Sequence, residues 1–222
     1  MRRVQPGRKG GSMKLYTVPL APNPTKVMLY IAERTNLGVS FEIEMVIVNT
    51  LKGRHKEAAH LARNPFGTLP VLELEDGRFI RESRVIIDYL EDIYPDHPLF
   101  DRDCERRAEQ RDLERICDVR LAQYINHWVH VYKSPLGVAP NPARAAELEK
   151  SMIPAFTYIE AYLSDGRAFL CGDRPSPADC TLQSTLNFMR FTGKNLIADY
   201  DHIQKWDAAY RQRACVAAAL SY

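Results

Sequence analysis

The chain has 222 residues, 45% of them hydrophobic and 26% charged, with 30 basic and 28 acidic side chains. That balance fits a globular protein with a core large enough for one large or two small domains, and it excludes a fibrous or wholly disordered chain. Of the net charge of +2, the first twelve residues carry +4, since Arg2, Arg3, Arg8 and Lys9 meet no acid there; the remainder stands at −2 and lacks the basic face of a nucleic-acid binder. No apolar run approaches the ~20 residues of a membrane span and no secretory-type apolar segment opens the chain, so a cytoplasmic protein without nucleic-acid or membrane partners is expected. Cys104, Cys117, Cys171, Cys180 and Cys215 are odd in number and scattered, without a C-x-x-C pair or a histidine pair at zinc spacing, so neither disulfides nor a metal site is expected.

Residues 1–12, with Gly7, Gly10, Gly11 and Ser12 among the basic residues, read as a disordered tail. The run Met13 to Val18 predicts a strand, the Pro/Asn-rich stretch Pro19 to Pro24 a turn, and Thr25 to about Asn36 an amphipathic helix. A second strand is expected over Phe41 to Val48 and a short helix within Arg54 to Arg63. Pro70 to Leu74 and Arg78 to Ile80 flank Asp76-Gly77, a hairpin signal, and Val85, Ile86, Tyr89, Leu90 and Ile93 recur at helical spacing from Ser83 to Tyr94. This βαβα-ββα order over residues 13–94 describes a thioredoxin-like layer. Prolines at 95 and 98 mark a stiff linker over 95–102. Beyond it strand signals cease: Leu113 to Tyr132 predicts a long helix, followed by helices at Pro142 to Leu163, Ser176 to Phe191 and His202 onward, an all-helical domain over 103–222. The fold class is α/β plus all-α.

Several residue groups have the makings of a binding site. Pro70 opens a strand after a glycine-containing loop, where an X-Pro bond adopts cis at a cost of only ~0.5–1 kcal/mol and turns the Leu69 N–H and C=O outward; a purely structural turn is the other reading. Glu82 and Ser83 stand at the start of a helix, where free N–H groups and the helix dipole favour an anion, and where both would equally serve as caps. His55 and Lys56 are donors suited to a carboxylate, or part of a solvated face. Ser176-Pro177-Ala178-Asp179 has the spacing of a capping box with proline at the first helical position, a folding signal.

The series Gly53-Arg54-His55-Lys56, Asn64-Pro65-Phe66-Gly67-Thr68-Leu69-Pro70, Asp76-Gly77 and Glu82-Ser83-Arg84 resembles the N-terminal domain of the glutathione transferase family, closest to its phi and theta-like branches. Ser176 to Asp179 resembles the S-x-A-D box of the family's helical domain. The resemblance implies glutathione as co-substrate, conjugation or reduction of small electrophiles including disulfides and peroxides, and a homodimer. It also implies that the Leu69 backbone pairs with the cysteinyl part of glutathione, that Ser83 and Glu82 hold the γ-glutamyl carboxylate and ammonium, and that His55 and Lys56 meet the glycine carboxylate. The phi and theta serine that would polarise the thiol falls on Ala21, which has no donor, and the tyrosine of other classes falls on Thr17, Tyr16 pointing to the opposite face of its strand. The segment Ala21-Pro22-Asn23-Pro24-Thr25-Lys26 is instead similar to the nu-class turn. This makes Asn23, with two amide donors, the expected thiolate partner and Thr25 a second candidate, a turn or N-cap role being the alternative for Asn23. Without a hydroxyl at position 21, a non-catalytic glutathione- or protein-binding module is the rival reading.

Overall fold

The computed structural model describes residues 12–220, so all but Ser12 of the expected tail lies outside the described residues. Four strands, β1 (Met13–Thr17), β2 (Ile43–Ile47), β3 (Val71–Glu73) and β4 (Phe79–Ile80), form a mixed sheet in the order β2-β1-β3-β4. β1 runs parallel to β2, with Thr17 opposite Ile47, and antiparallel to β3, with Tyr16 opposite Val71; β3 pairs antiparallel with β4 through Leu72 and Ile80. This register brings the C-terminal ends of β1, β2 and β4 and the N-terminal end of β3 to one end of the sheet. The segments that follow or precede them carry every candidate binding residue.

Helices α1 (Pro22–Asn36) and α3 (Ser83–Ile93) are joined in the N-terminal part by a 3-10 turn, Arg54–Lys56, and by α2 (Ala58–Leu61). The sheet with its helices is a thioredoxin-like layer. The remaining elements are helical: α4 (Cys104–Arg115), a π-helical stretch Ile116–Ala122, α5 (Gln123–Lys133), α6 (Pro142–Tyr162), α7 (Pro177–Arg190), α8 (Asp201–Arg211) and α9 (Ala214–Leu220). The single long helix expected around Leu113 to Tyr132 is thus three contiguous segments, one of them widened to π geometry.

α1 starts three residues earlier than the apolar pattern suggests. Pro22 occupies its first position, where the missing N–H costs nothing and the fixed φ suits a helix, so the expected turn residues Pro22, Asn23 and Pro24 form the first turn. α1 then runs through the middle of the molecule. Its Val27, Leu29 and Tyr30 join Leu15, Leu72, Ile86 and Leu90 of the layer and Leu182, Leu186 and Met189 of α7 in one continuous core. A smaller cluster of Tyr16, Val48 and Val71 lies on the other face of the sheet.

Charge is buried along with this apolar surface. Lys26, 1% exposed, places Nζ 2.7 Å from Asp118 Oδ1 in the π-helical stretch. Glu114 accepts from Thr181 at 3.0 Å and faces Arg84 Nε at 3.0 Å. The Arg213 guanidinium grips fully buried Glu33 through two bonds of 2.9 and 2.7 Å, tying the segment before α9 to α1. Fully buried Arg34 bonds Glu91 at 2.8 Å and donates to the Tyr94 and Asp96 carbonyls, while Glu91 Oε1 accepts from the Leu99 N–H at 3.0 Å. Residues 94–99 are held by these ions as well as by their prolines. At α7 the Ser176–Asp179 capping box is formed. Asp179 accepts in addition from the Leu170 N–H at 2.8 Å and from Trp206 Nε1 at 3.1 Å.

Candidate functional site

The β1–α1 turn sets the first wall. Leu20 adopts φ of +69° and the Ala21 N–H donates to the Pro19 carbonyl, a tight reversal that delivers Ala21 as the N-cap of α1. The first intrahelical bond runs from the Thr25 N–H to the Ala21 carbonyl. Since Pro22 and Pro24 have no N–H, Asn23 supplies the single backbone donor of the first three helical positions. Its side chain is exposed and makes no cap bond, so the capping alternative is not the one adopted.

α3 sets the opposite wall. Glu82 is its N-cap residue but caps nothing with its side chain, which is exposed; Ser83 is the first helical residue and buried. The Ser83 hydroxyl donates to Asn23 Oδ1 at 3.4 Å, so the two helix starts meet through these side chains. With its oxygen engaged, the Asn23 amide keeps both Nδ2 hydrogens for a ligand. The converging N-termini favour negative charge between them.

The third element is the loop before β3. The Leu69-Pro70 peptide is cis. Thr68 is fixed just ahead of it: its carbonyl accepts from Asn64 Nδ2 at 2.9 Å and from His60 Nε2 at 3.1 Å, and its hydroxyl accepts from the same Asn64 amide at 2.9 Å. Asn64, fully buried, also accepts from the Phe66 N–H at 3.2 Å. Among the described residues neither the N–H nor the C=O of Leu69 takes part in a turn, loop or cap bond. Asn64 and His60 are positioning residues that the sequence reading did not single out, although an asparagine opening an N-P-x-G turn is a recognisable turn former.

His55 and Lys56 lie on the 3-10 turn at the same end of the sheet. Lys56 reaches across to the loop, its Nζ 3.5 Å from the Gly67 carbonyl. His55 is half-buried, and burial, followed by the charges of Lys56 and His60, holds its pKa below the ordinary value. The uncharged ring, still a hydrogen-bond donor, is thereby favoured at neutral pH.

The structure thus brings together Asn23, Glu82 and Ser83, and places Leu69, Pro70, His55 and Lys56 at the same sheet end. Thr25 stands apart. It is fully buried on the core side of α1, its Oγ1 without a hydrogen-bond partner, because a residue two beyond Asn23 in a helix faces away from it. Tyr16 is likewise turned away: its hydroxyl donates to Glu73 Oε2 at 2.6 Å, and burial followed by that bond raises its pKa. On α5, Trp128 is core, its Nε1 bonded to Glu149 at 2.8 Å, while the Tyr132 ring stacks on it from outside with centroids 4.7 Å apart.

The family models for the N-terminal and C-terminal domains of glutathione S-transferase match residues 15–98 and 142–209 respectively. Glutathione S-transferase F9 of Arabidopsis thaliana is 31% identical over 206 residues, covering 87% of this chain and 89% of its own. Glutathione S-transferase 2 of Saccharomyces cerevisiae is 25% identical over 208 residues, 92% of this chain and 88% of its own. The solved structure of a glutathione S-transferase domain-containing protein from Marinobacter aquaeolei superposes with a TM-score of 0.80 at 26% identity, covering 91% of this chain and 99% of that one. The chain belongs to the glutathione S-transferase family.

Proposed function

We propose that the protein binds glutathione at the end of the sheet and uses its thiolate on small electrophiles in the cytoplasm. The observation that carries this reading is the Ser83–Asn23 contact between two uncapped helix starts. In this reading Asn23 Nδ2 donates to the sulfur, Ser83 and Glu82 meet the γ-glutamyl carboxylate and ammonium, Leu69 pairs its backbone with the cysteinyl unit, and Lys56 with His55 meets the glycine carboxylate. A hydrogen bond to a charged group contributes about 1.5–3 kcal/mol, which lowers the thiol pKa by about one to two units. The thiolate then attacks an electrophilic carbon as its leaving group departs with the bonding pair; in disulfide or peroxide reduction the same thiolate attacks sulfur and breaks the S–S bond, displacing a thiolate, or attacks oxygen and breaks the O–O bond, displacing hydroxide or alkoxide.

Residues 13–94 are the glutathione-binding domain in this scheme, 95–102 the linker, and 103–222 the helical domain that walls the electrophile site in a homodimer. Glutathione is titrated into the protein across pH while thiolate absorbance is followed in the ultraviolet. Saturable thiolate below the pKa of the free thiol is the expected result. Binding without thiolate favours the second reading, a non-catalytic glutathione-binding module, for which Ala21 is the specific motive.

A further inference from the structure

The helical domain meets the start of α1 with charge. Lys26, buried three residues after Asn23 in α1, gives its ammonium to Asp118 at 2.7 Å, and the other oxygen of Asp118 takes the Arg115 guanidinium at 2.8 Å. Residues three apart in a helix are neighbours, and a helical side chain leans toward the N-terminus of its own helix. These contacts therefore set Arg115 beside the first turn of α1, next to exposed Asn23. The carboxylates do not balance the cations here. Asp118 serves both Lys26 and Arg115; Glu114 faces Arg84 at 3.0 Å and Lys26 at 3.7 Å; Asp88 serves both Arg84 at 2.7 Å and Arg111 at 3.6 Å. Four cations thus share three carboxylates, and the surplus surfaces on the half-exposed members, Arg111 at 51% and Arg115 at 53%. Arg111 is turned toward α3, over the Phe100 ring. Arg115 spends one nitrogen on Asp118, and among the described residues no other acceptor meets its side chain, so the rest of its planar fork stays open.

We propose that Arg115 determines the specificity of the electrophile site by selecting electrophiles that carry a carboxylate away from the reacting atom. This inference rests on the proposed placement of the glutathione sulfur at Asn23. A guanidinium matches the geometry of a carboxylate through two parallel N–H donors, which an ammonium cannot do. Because buried Lys26 already neutralises Asp118, that carboxylate orients Arg115 without cancelling its charge. The π-helical stretch supplies Asp118 and so fixes the placement. An uncharged electrophile of the same shape forgoes the bond to Arg115, and a few such polar groups are what set orientation and specificity in a small-molecule site. The carboxylate is bound and takes no part in bond making at the sulfur.

The test is calorimetric titration of the full chain with two conjugates that differ by one charge, S-(4-carboxy-2,6-dinitrophenyl)glutathione and its 4-carboxamide. Binding does not require turnover, so the comparison reads the electrophile site even if conjugation is slow. The carboxylate is expected to bind roughly tenfold more tightly than the carboxamide or better, as a hydrogen bond between charged groups provides. In Arg115→Gln that preference is expected to fall below about twofold, with the carboxamide Kd nearly unchanged; Arg115→Lys, which keeps the charge, retains part of the preference. Arg115 is half exposed and Asp118 keeps Lys26 as a partner, so both replacements leave the fold intact. Equal binding of the two conjugates by the parent chain, or a preference that survives Arg115→Gln, overturns the proposal while the glutathione site stands. Failure of both conjugates and of S-methylglutathione to bind the parent chain refutes the glutathione site itself, and the proposal with it.

Discussion

The Ser83 hydroxyl donates to the amide oxygen of Asn23 across 3.4 Å, joining the first turn of α3 to the first turn of α1. This contact orients the Asn23 amide so that its nitrogen, the only part able to donate to a thiolate, faces away from Ser83. Replacement of Asn23 by alanine is expected to lower kcat/KM roughly ten- to a hundredfold, the equivalent of about 1.5–3 kcal/mol, and to raise the pKa of bound glutathione by about one to two units. Steady-state kinetics and the ultraviolet pH titration read the two effects. Undiminished activity in Asn23→Ala would show that another group holds the sulfur.

Ala21 is the N-cap of α1 with φ of −59° and ψ of 132° and has no side chain to offer the one free N–H of the first turn, that of Asn23. A serine there accepts from that N–H and keeps its own proton for the sulfur. Ala21→Ser is expected to stabilise the fold by ~1 kcal/mol, raising Tm by about 2–4 °C, and to increase conjugation of an aromatic halide. A higher Tm with no gain in conjugation would mean that the sulfur sits away from position 21.

Gly67 has φ of +61°, and a Cβ built on it would stand 2.8 Å from Lys56 Nζ and 3.0 Å from the His55 carbonyl oxygen. The left-handed backbone alone costs an alanine ~1–2 kcal/mol. Gly67→Ala should therefore displace the 3-10 turn from the loop, raising KM for glutathione several-fold with a smaller change in kcat. Unaltered KM and Tm would separate His55 and Lys56 from glutathione binding.

Arg213 and Glu33 form the clamp between the C-terminal segment and α1. Removing one member leaves a carboxylate buried without its partner, so Arg213→Ala is expected to cost about 3–5 kcal/mol in urea denaturation, and Glu33→Leu combined with it to recover a large part of that loss. A cost below ~1 kcal/mol for the single variant would contradict the clamp.

Burial pushes the Asp179 carboxyl up to about 6, against the pull of its donors from Leu170, Ser176 and Trp206. The folded state then holds a proton at Asp179 that the unfolded state releases near pH 4, so stability from this group is full below pH 4 and declines as pH rises toward 6. Asp179→Asn, which does not titrate, should cost roughly 1 kcal/mol more at pH 5 than at pH 7. An equal cost at the two values would place the folded pKa near that of a free carboxylate.

The features legible in the chain were the local ones. Asp76-Gly77 as a turn, the Ser176 to Asp179 box and the helical spacing of Val85 to Ile93 depend on residues within four positions of one another, so order alone specifies them. The start of α1 was misplaced because Pro22 and Pro24 read as turn residues until the backbone shows them in the first helical turn. The π-helical stretch at 116–122 has no local mark; it places Asp118 within 2.7 Å of Lys26, ninety-two positions away. Likewise the roles of Asn64 and His60 at Thr68 appear only when the loop is closed.

By itself the sequence determined the fold class, the order of the elements and which residue types line one end of the sheet, since periodicity, turn chemistry and motif spacing are properties of the chain in order. Only the tertiary structure decided that Asn23 meets Ser83, that Thr25 is buried away from both, that burial lowers the His55 pKa, and that Lys26, Glu33 and Glu114 lie in the interior. Orientation, burial and pairing depend on surfaces brought together from distant parts of the chain, and a charge is inexpensive inside only where its partner has already been placed.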